Sequence, residues 1–374
     1  MRIAHVSDCY LPRTGGIETQ VRSLALAQAA RGHDVRIITA SPGHGDVRSG
    51  RDSVDGLSVE RIAVSLPGEI PLHPRTRARV VESLIANPVD VIHVHAGVVS
   101  PFAWGGVRAA HELTIPTVVT VHSVWGPLAR PAFGASNSLV RWASWGVVLS
   151  AVSQVAADRV SEAVGVDVDV LPNGIDASAW RPQQPWTPQP GELRVVSVLR
   201  LAPRKRVGAL LRAVARASVL LAPDVRVRAM IIGDGPERGR AERLAGRLGI
   251  DATFTGRLPA HLIRARFAGS DVFVQASVKE SFGIAALEAR CAGLPVIARA
   301  QTGSGEFIAD GLNGFLAADD AMLADRLVLL GGDPDLLARM HAVNASTEPD
   351  QTWARVCDRA QALYARAGAG PGSA

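Results

Sequence analysis

The stretch Arg2–Ala40, RIAHVSDCYLPRTGGIETQVRSLALAQAARGHDVRIITA, decides the fold. It opens on a short β-branched run, RIAHVSD, and turns through TGGIE. It continues as IETQVRSLALAQAARG, where Ile17, Val21, Leu24 and Ala25 recur at helical spacing. A second β-branched run, DVRIITA, follows. Strand, helix and strand in that order form the βαβ unit of a parallel sheet.

Outward from this unit the same alternation repeats. Strands are expected at VDVIHVHA, TVVTVHS, GVVLSAVS and VDVLPNG, and this first group closes near Asp176. WRPQQPWTPQPGE, Trp180–Glu192, is rich in Pro and Gln and carries no period, as a linker does. The alternation then restarts with LRVVSVLR, RVRAMIIG, DATFTG, DVFVQAS and LPVIARA. The chain therefore reads as two Rossmann-like doubly wound α/β domains, residues 1–178 and 193–345, joined by a linker at 179–192. Within 346–366, Trp353, Val356, Ala360 and Leu363 form one stripe of a last helix, and the tail 367–374 is expected to be disordered.

A length of 374 residues exceeds what one core ordinarily needs and fits two domains. With 47% hydrophobic and 20% charged residues, the composition is that of a globular protein. No apolar run reaches the roughly 18–20 residues of a membrane span, and MRIAHVSD holds no signal-peptide core. A cytoplasmic location is the expectation. Cys9, Cys291 and Cys357 lie far apart without a CxxC spacing, which indicates neither a disulfide framework nor a zinc site. A net charge of +5 and a pI near 9.7 suit a protein that handles phosphates or touches an anionic membrane. Of the 40 Lys and Arg residues only Lys205 and Lys279 are lysines, so the composition replaces Lys by Arg almost everywhere and draws attention to these two.

Ligands of open α/β sheets bind beyond the carboxyl ends of the strands, and the unusual residues fall there. Gly15 and Gly16 follow the first strand, His122 ends TVVTVHS, and Asn173 and Gly174 follow VDVLP. Arg200 ends VVSVLR, Gly233 and Asp234 follow MII, Gly256 follows DATFT, and Glu280 follows DVFVQAS. One such glycine is ordinary turn chemistry; both halves together imply a ligand cleft between two facing domains. KESFGI sets the backbone N–H groups of a glycine turn at a helix start, an anion site. Arg200 and Lys205 bracket a short loop and can clamp one anion. Glu288, if Gly283–Cys291 is helical, has Ile284, Ala285, Cys291 and Ala292 as neighbours, none able to pair with a charge. A carboxylate there needs a donor, and the vicinal hydroxyls of a ribose would supply one. Together these groups describe a nucleoside diphosphate. The blander alternative for Glu280 is a charge beside a helix N-terminus, and for His122 a strand-end ring satisfied by backbone.

The order and spacing of TGGIE, TVHS, LPNGID, LRLAPRKRV, IIGDGPERG, FTGRL and the E-x7-E element ESFGIAALE resemble the retaining glycosyltransferases of family four, which have the GT-B architecture, from Met1 to about Tyr364. The resemblance implies an acceptor-binding first domain, a second domain that binds a nucleotide sugar, and a last helix crossing back to the first. It implies that Arg200 and Lys205 neutralise the donor diphosphate, Glu280 contacts the transferred sugar, Glu288 the ribose, and His122 the sugar near its 6-hydroxyl. Gly16 would let the first loop approach the donor phosphate. Gly233, Arg257, Leu258, Ser281, Phe282, Gly283 and Ile284 complete the implied donor site. No metal or other cofactor is implied. The partners implied are a nucleotide-sugar donor and a glycan, glycolipid or polyol acceptor, with no nucleic acid. GRLPAH, Gly256–His261, lacks an acidic residue that some guanine-binding relatives carry there, which leans the expectation from GDP toward UDP. Cys291 replaces a larger apolar residue common after EA.

Other readings are weaker. GDGPERG has the spacing G-x-G-x-x-x-G and no acidic residue ends DATFTG, against an NADP-dependent Rossmann enzyme. A GT-B nucleotide-sugar epimerase shares the fold, but ESFGIAALE and His122 favour transfer. Asp167–Asp169, DVD, mimics a metal-binding pair but precedes a strand, at the wrong edge of the sheet. Few aromatics and no basic stripe speak against nucleic acid. PRTRARVVESLIA, Pro74–Ala86, with Val80, Val81, Leu84 and Ile85 beside Arg75 and Arg79, and VWGPLARPAFGASNSLVRW, Val124–Trp142, leave room for peripheral contact with the inner face of the plasma membrane.

Overall fold

A computed structural model describes residues 1–13, 15–43, 49–64, 73–125, 131, 142 and 145–370. The chain divides into two compact units, Met1–Gly174 with Gln351–Ala374, and Ile175–Asp350.

The first unit holds a sheet ordered β3-β4-β2-β1-β5-β6-β7-β8. Its strands are β1 Arg2–Ser7, β2 Asp34–Thr39, β3 Gly50–Val54, β4 Leu57–Arg61, β5 Val91–Ala96, β6 Thr117–Val121, β7 Val148–Ala151 and β8 Asp169–Val170. All neighbours are parallel except β3 and β4, an antiparallel pair that the sequence pattern did not announce. The strand expected at VDVLPNG contracts to the two residues of β8. Helices cover both faces, so the strands are apolar nearly throughout. On one side Ala4, Val6, Ile92 and Val94 pack against α2 (Thr76–Ala86) and α3 (Pro101–Glu112). On the other, Ile3, Ile37, Val91 and Val118 pack against α1 (Gly16–Ala29) and the last helix, α12 (Trp353–Arg366). The last helix thus returns to the first unit, burying Val356, Ala360, Leu363 and Tyr364.

In α2, Val80 and Leu84 enter the core while Ile85 remains 63% exposed, so the stripe considered for membrane contact serves mainly as packing. Of Val124–Trp142, residues 126–130 and 132–141 lie outside the described residues, as does Thr14; Trp125 and Trp142 are buried. Among the described residues no helix is long and apolar enough to cross a membrane.

After α4 (Gln154–Val164) and α5 (Ala177–Trp180), the second unit forms an all-parallel sheet ordered β11-β10-β9-β12-β13-β14. The strands are β9 Glu192–Val198, β10 Arg226–Ile232, β11 Asp251–Gly256, β12 Val272–Gln275, β13 Val296–Arg299 and β14 Gly314–Ala317. Helices α6 (Val207–Leu221), α7 (Arg238–Leu248), α8 (Ala260–Ala268), α9 (Ile284–Cys291), α10 (Asp320–Gly332) and α11 (Pro334–Ser346) connect or flank them. Strand order reverses between β9 and β12, the topological switch point where such sheets bind ligands. The Pro-rich stretch is fastened to this unit: Trp186 stacks on His341 with centroids 4.0 Å apart and donates to Asp271 at 3.0 Å. At the chain's end Ala369 is buried and its N–H donates to Tyr364 O at 2.9 Å, while residues 371–374 lie outside the described residues.

Candidate active site

At the switch point, β9 runs into Arg200 and the 3-10 turn Pro203–Lys205, and β12 runs into Glu280. Arg206, at φ +55, starts α6 in a left-handed conformation and chelates Asp320 with Nη1 at 2.8 Å and Nη2 at 2.7 Å. Non-glycine residues seldom adopt that backbone geometry; here a two-pronged ion pair holds it. Ser277 Oγ donates to Arg204 O at 3.2 Å and ties the second loop to the first. With Arg206 committed to Asp320, Lys205 turns to Glu280 and donates from Nζ to Oε2. Glu280 therefore does not cap the following helix: the N-cap position is Gly283, which has no side-chain cap, and the Glu280 carbonyl accepts from Gly303 N at 3.0 Å. Arg200 and Lys279 are exposed.

Glycine is required where the loop meets this helix. Gly283 has φ +95, and a Cβ on it would lie 2.5 Å from Ser304 Oγ; a Cβ on Gly303 would lie 2.1 Å from Ser281 O. Ser304 Oγ also accepts from Gln275 Nε2 at 2.9 Å, so the turn Ser281–Gly283 is held from both sides. The N–H groups of Gly283 and Ile284 open α9 without backbone acceptors among the described residues, as an anion site would have them.

Glu288 lies one turn inside α9. Among the described residues no donor meets its carboxylate, and burial alone pushes its pKa up to about 8. Ala286, Leu287, Ala289 and Cys291 around it are buried. The free protein thus keeps a half-buried acid without a partner, which costs stability unless it is protonated or a ligand supplies donors. Cys291 packs as a small apolar residue, its thiol pushed up to about 12 by burial.

Gly233 and Gly235 are fixed by close backbone approach at the end of β10. Their φ values are +130 and +159, and a Cβ would lie 1.9 Å from Leu199 O and 2.4 Å from Leu201 O respectively. The same backbone is bonded to the loop after β9 and to β11, through Leu201 N to Asp234 O at 3.0 Å and Gly233 N to Gly256 O at 2.8 Å. Arg257 is exposed beyond β11, with Leu258 partly buried beside it. The structure therefore gathers Lys205, Glu280, Ser281, Phe282, Gly283 and Ile284 at one switch point. Arg200 and Gly233 end the neighbouring strands, and Arg257 and Leu258 stand on the loop after β11.

Gly16 and His122 belong to the first unit. Gly16 is exposed at the first position of α1, after Gly15 in extended backbone. His122 follows β6 and is not satisfied by backbone alone. Its N–H donates to Ala96 O at 2.8 Å, while the ring meets the Asn173 side chain and, through Nε2, His95 Nδ1 at 3.0 Å. Desolvation lowers its pKa to about 4, so the ring is neutral at pH 7. Asp169 of the DVD segment is engaged by Arg366 at 2.6 Å. Absent from the sequence reading are His5, His93, His95, Gln28 and Tyr364, which lie behind His122. Their signal was the period-2 placement of polar residues in otherwise apolar strands: His5 and Ser7 in β1, His93 and His95 in β5, Thr120 and His122 at the end of β6.

Two family models match the chain, Glycosyltransferase Family 4 over residues 14–179 and Glycosyl transferases group 1 over residues 179–345. The GDP-mannose-dependent alpha-mannosyltransferase of Mycolicibacterium smegmatis is 26% identical, over 96% of this chain and 95% of its own. The phosphatidyl-myo-inositol mannosyltransferase of Mycobacterium leprae is 29% identical, over 97% and 96%. A solved structure of the Anabaena HepE protein in complex with UDP and glucose superposes with a TM-score of 0.73 at 20% identity, over 98% of this chain and 99% of that one. At that identity the last likeness speaks for the fold.

Proposed function

Because this chain belongs to glycosyltransferase family 4 and is a glycosyltransferase of the two-domain GT-B architecture, we propose that it moves a hexosyl unit from a nucleoside-diphosphate sugar to an acceptor hydroxyl with retention and without a metal ion. The observation that carries the donor assignment is Glu288. Among the described residues, an unpartnered carboxylate one turn inside a helix whose first N–H groups lack backbone acceptors calls for a ligand that brings an anion and paired hydroxyl donors; a nucleoside diphosphate brings both. Lys205, Arg200 and the N–H groups that open α9 supply positive potential for the leaving diphosphate. Glu280 stands where positive charge grows on the sugar ring as the bond from its anomeric carbon to the diphosphate breaks. The acceptor oxygen bonds to that carbon on the face the leaving group vacates, and its proton passes to the diphosphate. The acceptor is a glycan, glycolipid or polyol; the mannosyltransferase relatives, one named for a phosphatidylinositol, support a lipid-linked one. The donor base is uridine or guanine: the relatives' names favour GDP, the absence of an acid in Gly256–His261 favours UDP.

A panel of UDP- and GDP-hexoses, assayed for transfer and for donor hydrolysis in EDTA, tests this. Turnover of at least one α-linked donor to an α-linked product, read from the anomeric proton by NMR, is expected. Activity that appears only on adding manganese or magnesium, or a β-linked product, contradicts the metal-free or the retaining part respectively.

A further inference from the structure

The face of the first sheet beneath α1 and α12 buries His5, His93, His95, Thr120 and Ser150, with Gln28 and Tyr364 above them, none more than 3% exposed. These side chains form one unbroken file. His122 Nε2 lies 3.0 Å from His95 Nδ1, and His95 Nε2 lies 2.9 Å from His5 Nδ1. His5 Nε2 is 2.7 Å from Gln28 Oε1, and Gln28 Nε2 donates to Tyr364 Oη at 2.8 Å. Tyr364 Oη is 2.8 Å from His93 Nδ1, and His93 Nε2 is 2.7 Å from Thr120 Oγ1. Thr120 Oγ1 is 2.8 Å from Ser150 Oγ, which donates to Val119 O at 3.3 Å.

The far end sets the direction of every link. Val119 O can only accept, so Ser150 gives its one proton there and must accept from Thr120. Thr120 in turn accepts from His93 Nε2–H. A neutral imidazole has one donor and one acceptor, so His93 Nδ1 accepts from Tyr364, whose oxygen accepts from Gln28 Nε2. The amide oxygen of Gln28 then accepts from His5 Nε2–H, His5 Nδ1 from His95 Nε2–H, and His95 Nδ1 from His122 Nε2–H. Running the file backwards leaves the bond from Ser150 to Val119 unmade. Burial holds His5 and His122 down to about 4 and lowers His93 and His95 well below the ordinary 6.5, which keeps all four neutral at pH 7.

We propose that this file is a tautomer lock, fixing His122 as the Nε2–H form and leaving Nδ1 as the ring's one acceptor, which a donating sugar hydroxyl takes in competition with the Asn173 side chain that the ring already meets. His95, His5, Gln28 and Tyr364 are positioning residues acting through His122. The selection of a sugar hydroxyl rests on the function proposed above; the lock does not. His5, His93 and His95 also bring one ring nitrogen each within 4.8 Å of one another, a spacing a metal ion accepts. Each of their six nitrogens, however, faces a hydrogen-bond partner at 3.0 Å or less, and a metal would have to break those bonds.

Long-range 15N–1H NMR of the full chain labelled at histidine, with His122 assigned from the His122→Gln spectrum, reads the tautomer directly. The lock predicts a protonated Nε2 and a bare Nδ1 at pH 7. A protonated Nδ1, a doubly protonated ring, or a stoichiometric metal on the purified protein overturns it. Gln28→Leu should release a mixture of tautomers and lower the transfer rate about tenfold or more, the direction in which a wrong histidine tautomer acts in hydrolases. Gln28→Glu, which still accepts from His5, should restore the single tautomer. Tyr364→Phe, which removes the acceptor that orients the Gln28 amide, gives a second release variant should Gln28→Leu not fold. A pure Nε2–H ring in both release variants removes the positioning role. Absence of transfer by the unmodified chain, with the tautomer as predicted, sinks the sugar-hydroxyl reading and leaves the lock standing.

Discussion

Lys205 and Glu280, 75 positions apart, form an ion pair across the switch point of the second sheet, with side chains 21% and 15% exposed. The pair joins the loop that follows β9 to the loop that follows β12. In the proposed reaction Lys205 turns toward diphosphate and Glu280 toward sugar, so the donor competes with a contact the free protein already makes. Lys205→Ala is expected to lower turnover about a hundredfold or more, the scale of losing one charge-stabilising donor. Lys205→Arg should also be impaired, because a planar guanidinium does not replace a compact ammonium. Full activity of Lys205→Arg, measured by steady-state transfer, contradicts a specific role for this lysine in a chain otherwise built on arginine.

Glu288 gives a proton-linked prediction. Its pKa of about 8 leaves it largely protonated at pH 7 in the free protein. Hydroxyl donors favour the ionised form, so ribose binding lowers that pKa and a proton leaves. Calorimetry of nucleoside diphosphate binding in buffers of different ionisation enthalpy should therefore show release approaching one proton at pH 7, fading as pH rises through 8. Glu288→Gln should abolish it. No buffer dependence in the parent chain, or an unchanged release in the variant, contradicts the assignment.

The buried histidines predict acid sensitivity of the first unit. His5, His93 and His95 have pKa values held below the ordinary 6.5 by burial, so the unfolded chain binds protons that the folded unit refuses. Their stabilisation is complete above about pH 6.5 and is lost as pH falls toward 4, by at most about 1.4 kcal/mol per pH unit for each ring. Asp8, raised to about 6 by burial while it accepts from Phe102 N, opposes them in part, since it gains a proton more readily when folded. In the second unit His341, lowered to about 4, and Glu288 have opposite signs. Hydrogen exchange should thus show the amides of β1 and β5 losing protection between pH 6.5 and 5 before those of β9 and β12. Equal protection in both units down to pH 5 contradicts this.

Much of this was legible in the chain because parallel strands buried on both faces are continuous β-branched runs, and their carboxyl ends collect the residues that cannot be buried bare. The pair β3 and β4 escaped although Asp55 and Gly56, at φ +53 and +81, are a turn signal between RDSV and LSVE. β14, GFLA, has no β-branched residue, and its Gly314 is fixed by the neighbouring strand: a Cβ would lie 2.3 Å from Val296 O. Trp180–Glu192 lacks a period, yet one side chain, Trp186, docks it through Asp271 and His341. The ion pair of Lys205 with Glu280 and the file behind His122 depend on which strands become neighbours, and order along the chain does not state that. The unpartnered Glu288, by contrast, was readable from its helical neighbours alone.

The central claim is that the second unit holds a nucleoside diphosphate through Glu288 and reserves Glu280 for the sugar. Glu288 acts equally before and during bond breaking, so its loss weakens binding; Glu280 acts on charge that grows in the transition state, so its loss lowers turnover. The direct measurement is the affinity of UDP and of GDP, in EDTA, for the parent chain, Glu280→Gln and Glu288→Gln, since neither ligand carries the sugar. Glu280→Gln, which frees Lys205 from its ion pair, should bind one of the two at least as tightly as the parent, and Glu288→Gln should bind it at least about tenfold more weakly than the parent, the size of losing one hydrogen bond to a charged group. Equal weakening in the two variants, or no binding of either nucleotide by the parent chain, contradicts it.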